Sequence, residues 1–276
     1  MIILMNIILK IIIFLVVIIF YLNISKSLHI VNSLNIDELY YTNRSNLLEV
    51  LYFKTPIIIY NLNININIDK IKLYINSMNL NLYSNDSYNS DNLNEINIIK
   101  TTDYSNLIKD ESNNYISFNN TSFINDDILV EFKNIECKFL PEINFGIQNY
   151  DIIIGDKYSN IIYNKTIYQY NLFYLINGSI ELYLIHPKHI LDLNFHNDYK
   201  NLNNSLVDIS DQIIENLEYK KINIEKSQAF HIPYGWIYSI KYKDMTKILK
   251  FSYSNIFDIF ANPKIYFINY INKNVL

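Results

Sequence analysis

Glycine occurs only four times in these 276 residues, and all four copies fall between Gly146 and Gly235. Glycine alone enters left-handed or crowded backbone without a steric penalty, so a chain this poor in it keeps it where reversals demand it. From about Asp151 the texture matches: short β-branched and aromatic runs alternate with turn signals, which predicts a sandwich or barrel of short strands. Asp151 to Ile154 reads as a strand ended by Gly155, with Asp151 and Asp156 as strand-end and turn residues. Leu172 to Ile176 and Ser179 to Ile185 flank Asn177-Gly178, which predicts a two-residue hairpin with positive φ at both turn positions. Further strands are expected at Tyr219 to Ile224, Gln228 to Ile232, Trp236 to Tyr242 and Lys247 to Tyr253. Pro233-Tyr234-Gly235 makes a turn among them, a helix is expected near Asp211 to Leu217, and a C-terminal helix from Ile256 is interrupted at Pro263.

The preceding part reads differently. Ser45 is placed to cap a short helix through Phe53, with Leu47, Leu48, Leu51 and Tyr52 on its apolar face. Pro56 to Leu62 suits a buried strand, and Asp69 is placed to cap a second helix whose Ile71, Tyr74, Ile75 and Met78 share a face. Asn79 to Asn94 is polar and aperiodic and reads as a surface loop or an insertion rather than a domain linker. No repeat or second domain is visible, so the chain divides into a leader (1–27), a helix-and-strand portion (28–150) and a strand-rich core with a C-terminal helix (151–276). The single Cys137 excludes an internal disulfide framework and reads as a buried structural thiol. A net charge of -4 offers no basic field for nucleic acid.

Ile11 to Leu22 is an uninterrupted apolar run preceded by Lys10, the length of a signal-peptide core. Ser25-Lys26-Ser27 places small residues where a signal peptidase inspects the chain, which favours cleavage after Ser27. Met1 to Leu9 is also apolar apart from Asn6, so residues 1–22 suit an uncleaved membrane anchor as well. Either reading sends the chain to the secretory pathway, and a buried N-terminal helix is the remaining alternative. Asn-x-Ser/Thr sequons at Asn43, Asn85, Asn119, Asn120, Asn164, Asn177 and Asn203 do not discriminate in so Asn-rich a chain.

Two motifs carry a family resemblance. Phe230 to Ile240, containing Ile232-Pro233-Tyr234-Gly235-Trp236, resembles the "IP-x-GWWH" turn of the JmjC and asparaginyl-hydroxylase-like cupins, and it holds the only tryptophan. Asn171 to Pro187, with Gly178 inside it, resembles the same family's preceding motif without a gap. Pro56 to Tyr60 and Phe145 to Gly155 resemble its early strand and the segment before its metal-binding strand. The resemblance spans Asp37 to Tyr253 and implies a double-stranded β-helix (jelly-roll) fold, mainly β with flanking α-helices.

It also implies where the family's Fe(II) and 2-oxoglutarate would be held. Counting from Asn171, the metal ligands fall at Lys165, Ile167 and Tyr238, and the cosubstrate lysine falls at Ile180. An ammonium repels a dication and isoleucine has no donor atom, so no catalytic, metal or cofactor-binding residue is expected at these places. Asn171, Gly178, Pro187, Pro233, Gly235 and Trp236 remain as structural motif residues. His186, His189 and His196 are read as exposed or capping rather than as a metal cluster with His231.

The leading expectation is therefore a non-catalytic scaffold or binding module with an unidentified protein partner. The likeness to small JmjC-only proteins favours the endoplasmic reticulum lumen, although Asn272 to Leu276 is no KDEL-type signal. The alternatives are an Fe(II)/2-oxoglutarate-dependent protein hydroxylase or demethylase with misplaced ligands, and a cupin whose tyrosine-rich strands bind a small ligand.

Overall fold

The computed structural model describes residues 2–31, 33–62, 68–84, 97–100, 115–140, 146–157, 159–190, 193, 217–264 and 266–267. Along the chain come helix α1 (Ile2–Leu28), strand β1 (Asp37–Tyr40), α2 (Arg44–Tyr52), β2 (Ile57–Tyr60), α3 (Ile68–Ser77), β3 (Asn79–Ser84), β4 (Asn97–Lys100), β5 (Tyr115–Ser117) and α4 (Asp126–Phe139). A run of strands follows: β6 (Ile147–Gly155), β7 (Asn160–Lys165), β8 (Tyr170–Asn177), β9 (Ser179–Ile185), β10 (Tyr219–Glu225), β11 (Ala229–Pro233), β12 (Ile237–Tyr242) and β13 (Thr246–Ser254). Helix α5 (Ile256–Ala261) comes next.

The protein is mainly β. One sheet runs β1-β2-β11-β8-β13-β6-β5-β3-β4, and the other runs β10-β9-β12-β7. Between β6 and β9 the chain changes sheet at every connection, and it does so again from β10 to β13. The first apolar cluster lies between the sheets, where Ile153, Phe173, Leu175 and Ile248 meet Ile180, Leu182, Leu184 and Ile240. The second lies on the outer face of the large sheet, where Leu172, Tyr174, Ile152 and Phe251 meet Leu47, Ile75 and Phe132 of the helices. Strand β8 is covered on both faces, which is why its sequence is an apolar run without alternation.

Several sequence expectations need correction. The hairpin at Asn177-Gly178 does not form, because β8 pairs with β11 and β13 while β9 pairs with β10 and β12. Only Gly178 is left-handed, at φ 84°, so the dipeptide turns a corner between sheets rather than closing a type I′ loop. A Cβ at Gly178 would lie 2.3 Å from Thr246 Oγ1 and 2.6 Å from Asp244 Oδ1. The corner is thus packed directly against the β12–β13 turn.

Residues 79–84 form a strand, not a loop, because Leu80 and Leu82 alternate into the core; residues 85–96 lie outside the described set. Asn43, not Ser45, caps α2, since its Oδ1 accepts the Asn46 N–H at 2.9 Å. Helix α3 begins at Ile68, so Asp69 stands in its first turn rather than before it. Cys137 is exposed on α4, whose apolar stripe of Ile128, Phe132 and Ile135 leaves it on the solvent side. The expected helix near Asp211 falls outside the described residues except for Leu217, which is buried. The portion before residue 151 also supplies five strands to the large sheet, so the two portions share one sheet.

Candidate functional site

Asn171, Pro187, Pro233, Gly235 and Trp236 gather at one end of the sandwich, while Gly178 sits at the other end of β8. Asn171 is buried on the inner face of β8, where its Nδ2 donates to the carbonyls of Tyr168 (2.8 Å) and Ile232 (3.1 Å). Its Oδ1 accepts the Ser252 hydroxyl at 3.1 Å, so one amide joins β8, β11 and β13. Beyond β11, the Thr166 N–H and hydroxyl both donate to the Trp236 carbonyl, at 2.9 and 3.0 Å, and Gly235 N–H returns a bond to Thr166 O at 3.0 Å. Thr166 Oγ1 also reaches the Pro233 carbonyl. Gly235 is left-handed, at φ 83°, and a Cβ there would meet Ile30 Cδ1 at 3.1 Å.

His186 is buried, not exposed. Its Nδ1 accepts the Lys188 N–H at 3.1 Å above the turn Pro187–His189, which leaves Nε2 to donate to Val31 O at 2.7 Å. Its ring lies edge-on to Trp236, with centroids 5.4 Å apart. The capping expectation therefore holds for His186, and His189 is half-buried in the same turn. His196 lies outside the described residues.

The three positions implied as metal ligands do not converge. Residues directly opposite in an antiparallel ladder share a face. Tyr238 pairs with Asn164 and with Leu184, and it faces inward with Ile180 and Phe173. Ile237 pairs with Lys165 and packs outward with Tyr163, Ile185, Leu193 and Leu217. Lys165 is thus on the opposite face of the small sheet from Tyr238, and burial lowers its pKa. Ile167 packs elsewhere again, with Tyr168 and Tyr266.

The residues around Tyr238 on the inner face are mainly aromatic and aliphatic. Phe173 stacks on Phe230 at 4.6 Å and meets the Tyr238 ring edge-on at 5.5 Å, with Ile180 fully buried in the same cluster. An ammonium facing away, a hydrocarbon in another cluster and one phenol among aromatic rings do not fit an Fe(II) facial triad. Ile180 likewise offers no cation to a cosubstrate carboxylate.

Two inward-facing charges escaped the sequence reading. Asp151 is buried in the middle of β6, not at a strand end, because the strand already starts at Ile147. Its Oδ1 accepts the N–H groups of Asn120 (2.7 Å) and Ile152 (2.8 Å), and its Oδ2 accepts that of Asn119 (3.0 Å). Burial raises its pKa, while Lys250, opposite it on β13, and the three N–H donors pull it back. Lys250 also sits over the Phe173 ring at 5.4 Å. The order Ile248, Lys250, Ser252 along one face of β13 was the available signal, since a lysine stood in line with inward residues. Chemically the pair reads as structural: the carboxylate accepts three backbone N–H groups and ties residues 119–120 to the sheet. Asn120 itself is fully buried, donating to Ile152 O at 2.6 Å, so this sequon is inaccessible in the folded protein.

A mainly β sandwich with an apolar N-terminal helix is the class that fold and site define. No protein-family model matches the chain, and no curated protein matches it.

Proposed function

We propose that the chain is a non-catalytic jelly-roll domain of the JmjC and cupin-like kind, held in the secretory pathway and serving as a scaffold or binding module for a protein partner. Strand order supports the jelly-roll reading: β6-β13-β8-β11 faces β7-β12-β9-β10, with antiparallel pairing throughout both sets. The observation that carries the non-catalytic reading is the scattered ligand set: Lys165 lies on the opposite face of the small sheet from Tyr238, and Ile167 packs in another cluster with Tyr168 and Tyr266. Helix α1 is read as a retained anchor. Residues 7–26 are long and apolar enough to cross a membrane, and Phe20 packs edge-on against Phe257 and Phe260 of α5 at 5.2 and 5.9 Å.

Anaerobic titration of the unmodified chain with Fe(II) and 2-oxoglutarate is expected to show no stoichiometric uptake; uptake that depends on 2-oxoglutarate overturns the reading. Installing His at Lys165, Asp at Ile167, His at Tyr238 and Lys at Ile180 together is expected to gain no metal either, because Lys165 faces away from Tyr238. N-terminal sequencing of the mature protein checks the anchor, with Met1 or its neighbour expected rather than Leu28.

A further inference from the structure

Helix α5 sits beside α1 and leaves large apolar side chains uncovered. Ile256 is 54% exposed and Phe260 55%, and Phe267, just beyond the helix, is 66% exposed. Beside them an open apolar groove of about 580 Å³ is lined by Ile147, Ile259, Pro263, Lys264, Tyr266 and Phe267. The buried side of α5 is fixed: Asn255 and Asp258 form a reciprocal cap, and Tyr266 is buried with its hydroxyl against Ile167 O at 3.2 Å. These contacts leave the apolar side facing outward.

Where that side lies follows from α1. Lys26 closes the apolar span, with its ammonium 4.0 Å above the Tyr52 ring and its carbonyl bonded by Lys54 Nζ. These two cations mark a headgroup level, since lysine side chains collect at the membrane surface. Phe20 stands six residues earlier, about 9 Å deeper along the helix at 1.5 Å per residue. Phe257 and Phe260 touch Phe20, so α5 lies deeper than Lys26, at the boundary of the hydrocarbon. An apolar helix face at that depth meets lipid, as interfacial helices do. Tyr52 and Phe53, both exposed, flank the same lysines, as aromatic residues do at membrane interfaces.

We propose that the α5 face, through Ile256, Phe260 and Phe267, is seated in the bilayer interface and fixes how the β domain stands on the membrane. This rests on α1 being a membrane helix. The test uses the full chain in phosphatidylcholine vesicles, in a Cys137→Ser background, with a polarity-sensitive fluorophore on single cysteines at Leu15→Cys, Ile256→Cys, Phe260→Cys and Ile98→Cys. Ile98 is exposed on β4, at the far edge of the large sheet from β1. Brominated lipid is expected to quench the labels at 15, 256 and 260, and aqueous iodide only the label at 98. If lipid quenches 15 but iodide quenches 256 and 260, the α5 inference falls while the anchor stands. If lipid fails to quench 15, both fall. Labels at 256 and 260 protected from both quenchers until the protein is diluted would mean that a second copy covers the face, which also overturns the proposal.

Discussion

Burial pulls His231 down to about 3, far below the ordinary imidazole value, and the backbone of Thr55 offsets only part of the lost hydration. Neither ring nitrogen has a hydrogen-bond partner of ordinary geometry among the described residues. The ring points to the outer face of the large sheet, opposite Leu172 and Ile57, with the Tyr170 ring 6.0 Å away. It stays neutral in the folded state, whereas an unfolded chain protonates its histidine below about 6.5. Between these values the unfolded state binds the extra proton, so stability rises with pH. The contribution is fully present above about pH 6.5 and declines as pH falls toward 3. From pH 6.5 to 4.5 the loss is roughly 2–3 kcal/mol at about 1.4 kcal/mol per unit. Asp151 has the opposite sign, because a raised carboxyl favours the protonated folded state in acid. Urea denaturation of His231→Phe across this range is expected to show a flatter stability profile than the parent; equal slopes would contradict it. The sequence showed His231 inside an apolar strand but not that both faces of that strand are covered, and the missing water comes from the second layer.

At the scale of elements, the corner at Gly178 separates local signals from long-range ones. Asn-Gly reverses or bends a chain whether its flanking strands pair or part. Which happens here depends on β11 and β13 taking both edges of β8, and β10 and β12 both edges of β9. Asp244 then accepts the Ser179 N–H at 2.7 Å, so the corner is fastened to the turn between β12 and β13. Gly178→Ala is expected to destabilise the fold by about 1–2 kcal/mol for the left-handed backbone alone, and more because the methyl would enter the space of Thr246 and Asp244. Chemical denaturation gives the number, and a neutral result would mean that the corner relaxes freely. Strand β3 was missed for a related reason. Asn79 and Asn81 read as loop residues, yet Asn81 N–H donates to buried Asn120 Oδ1 at 2.8 Å, and Leu80 and Leu82 supply the buried face.

For the whole molecule, the segment after α1 binds the domain closely. Asp37 to Tyr40 pairs in parallel with Ile57 to Tyr60, the Asp37 N–H donates to Pro56 O at 2.9 Å, and Thr55 Oγ1 donates to the Asp37 carboxylate. A chain starting at Leu28 is expected to unfold as one cooperative unit. One starting at Arg44 leaves β2 as a bare edge and is expected to melt lower, by about 2–4 °C for each kcal/mol lost. Calorimetry of the two chains decides it, and equal Tm values would show that β1 is dispensable. The apolar N-terminal run, the strand-rich texture after residue 150, the Pro233 to Trp236 turn and the residue types at the implied ligand positions were all legible in the residues, because each depends on side-chain chemistry or short-range geometry. Tertiary structure alone decided that Asn177-Gly178 crosses between sheets, that Lys165 turns away from Tyr238, and that Asp151 faces inward opposite Lys250. Each of those depends on which strand lies beside which, and neighbours brought together across many residues leave little trace in the order of either strand.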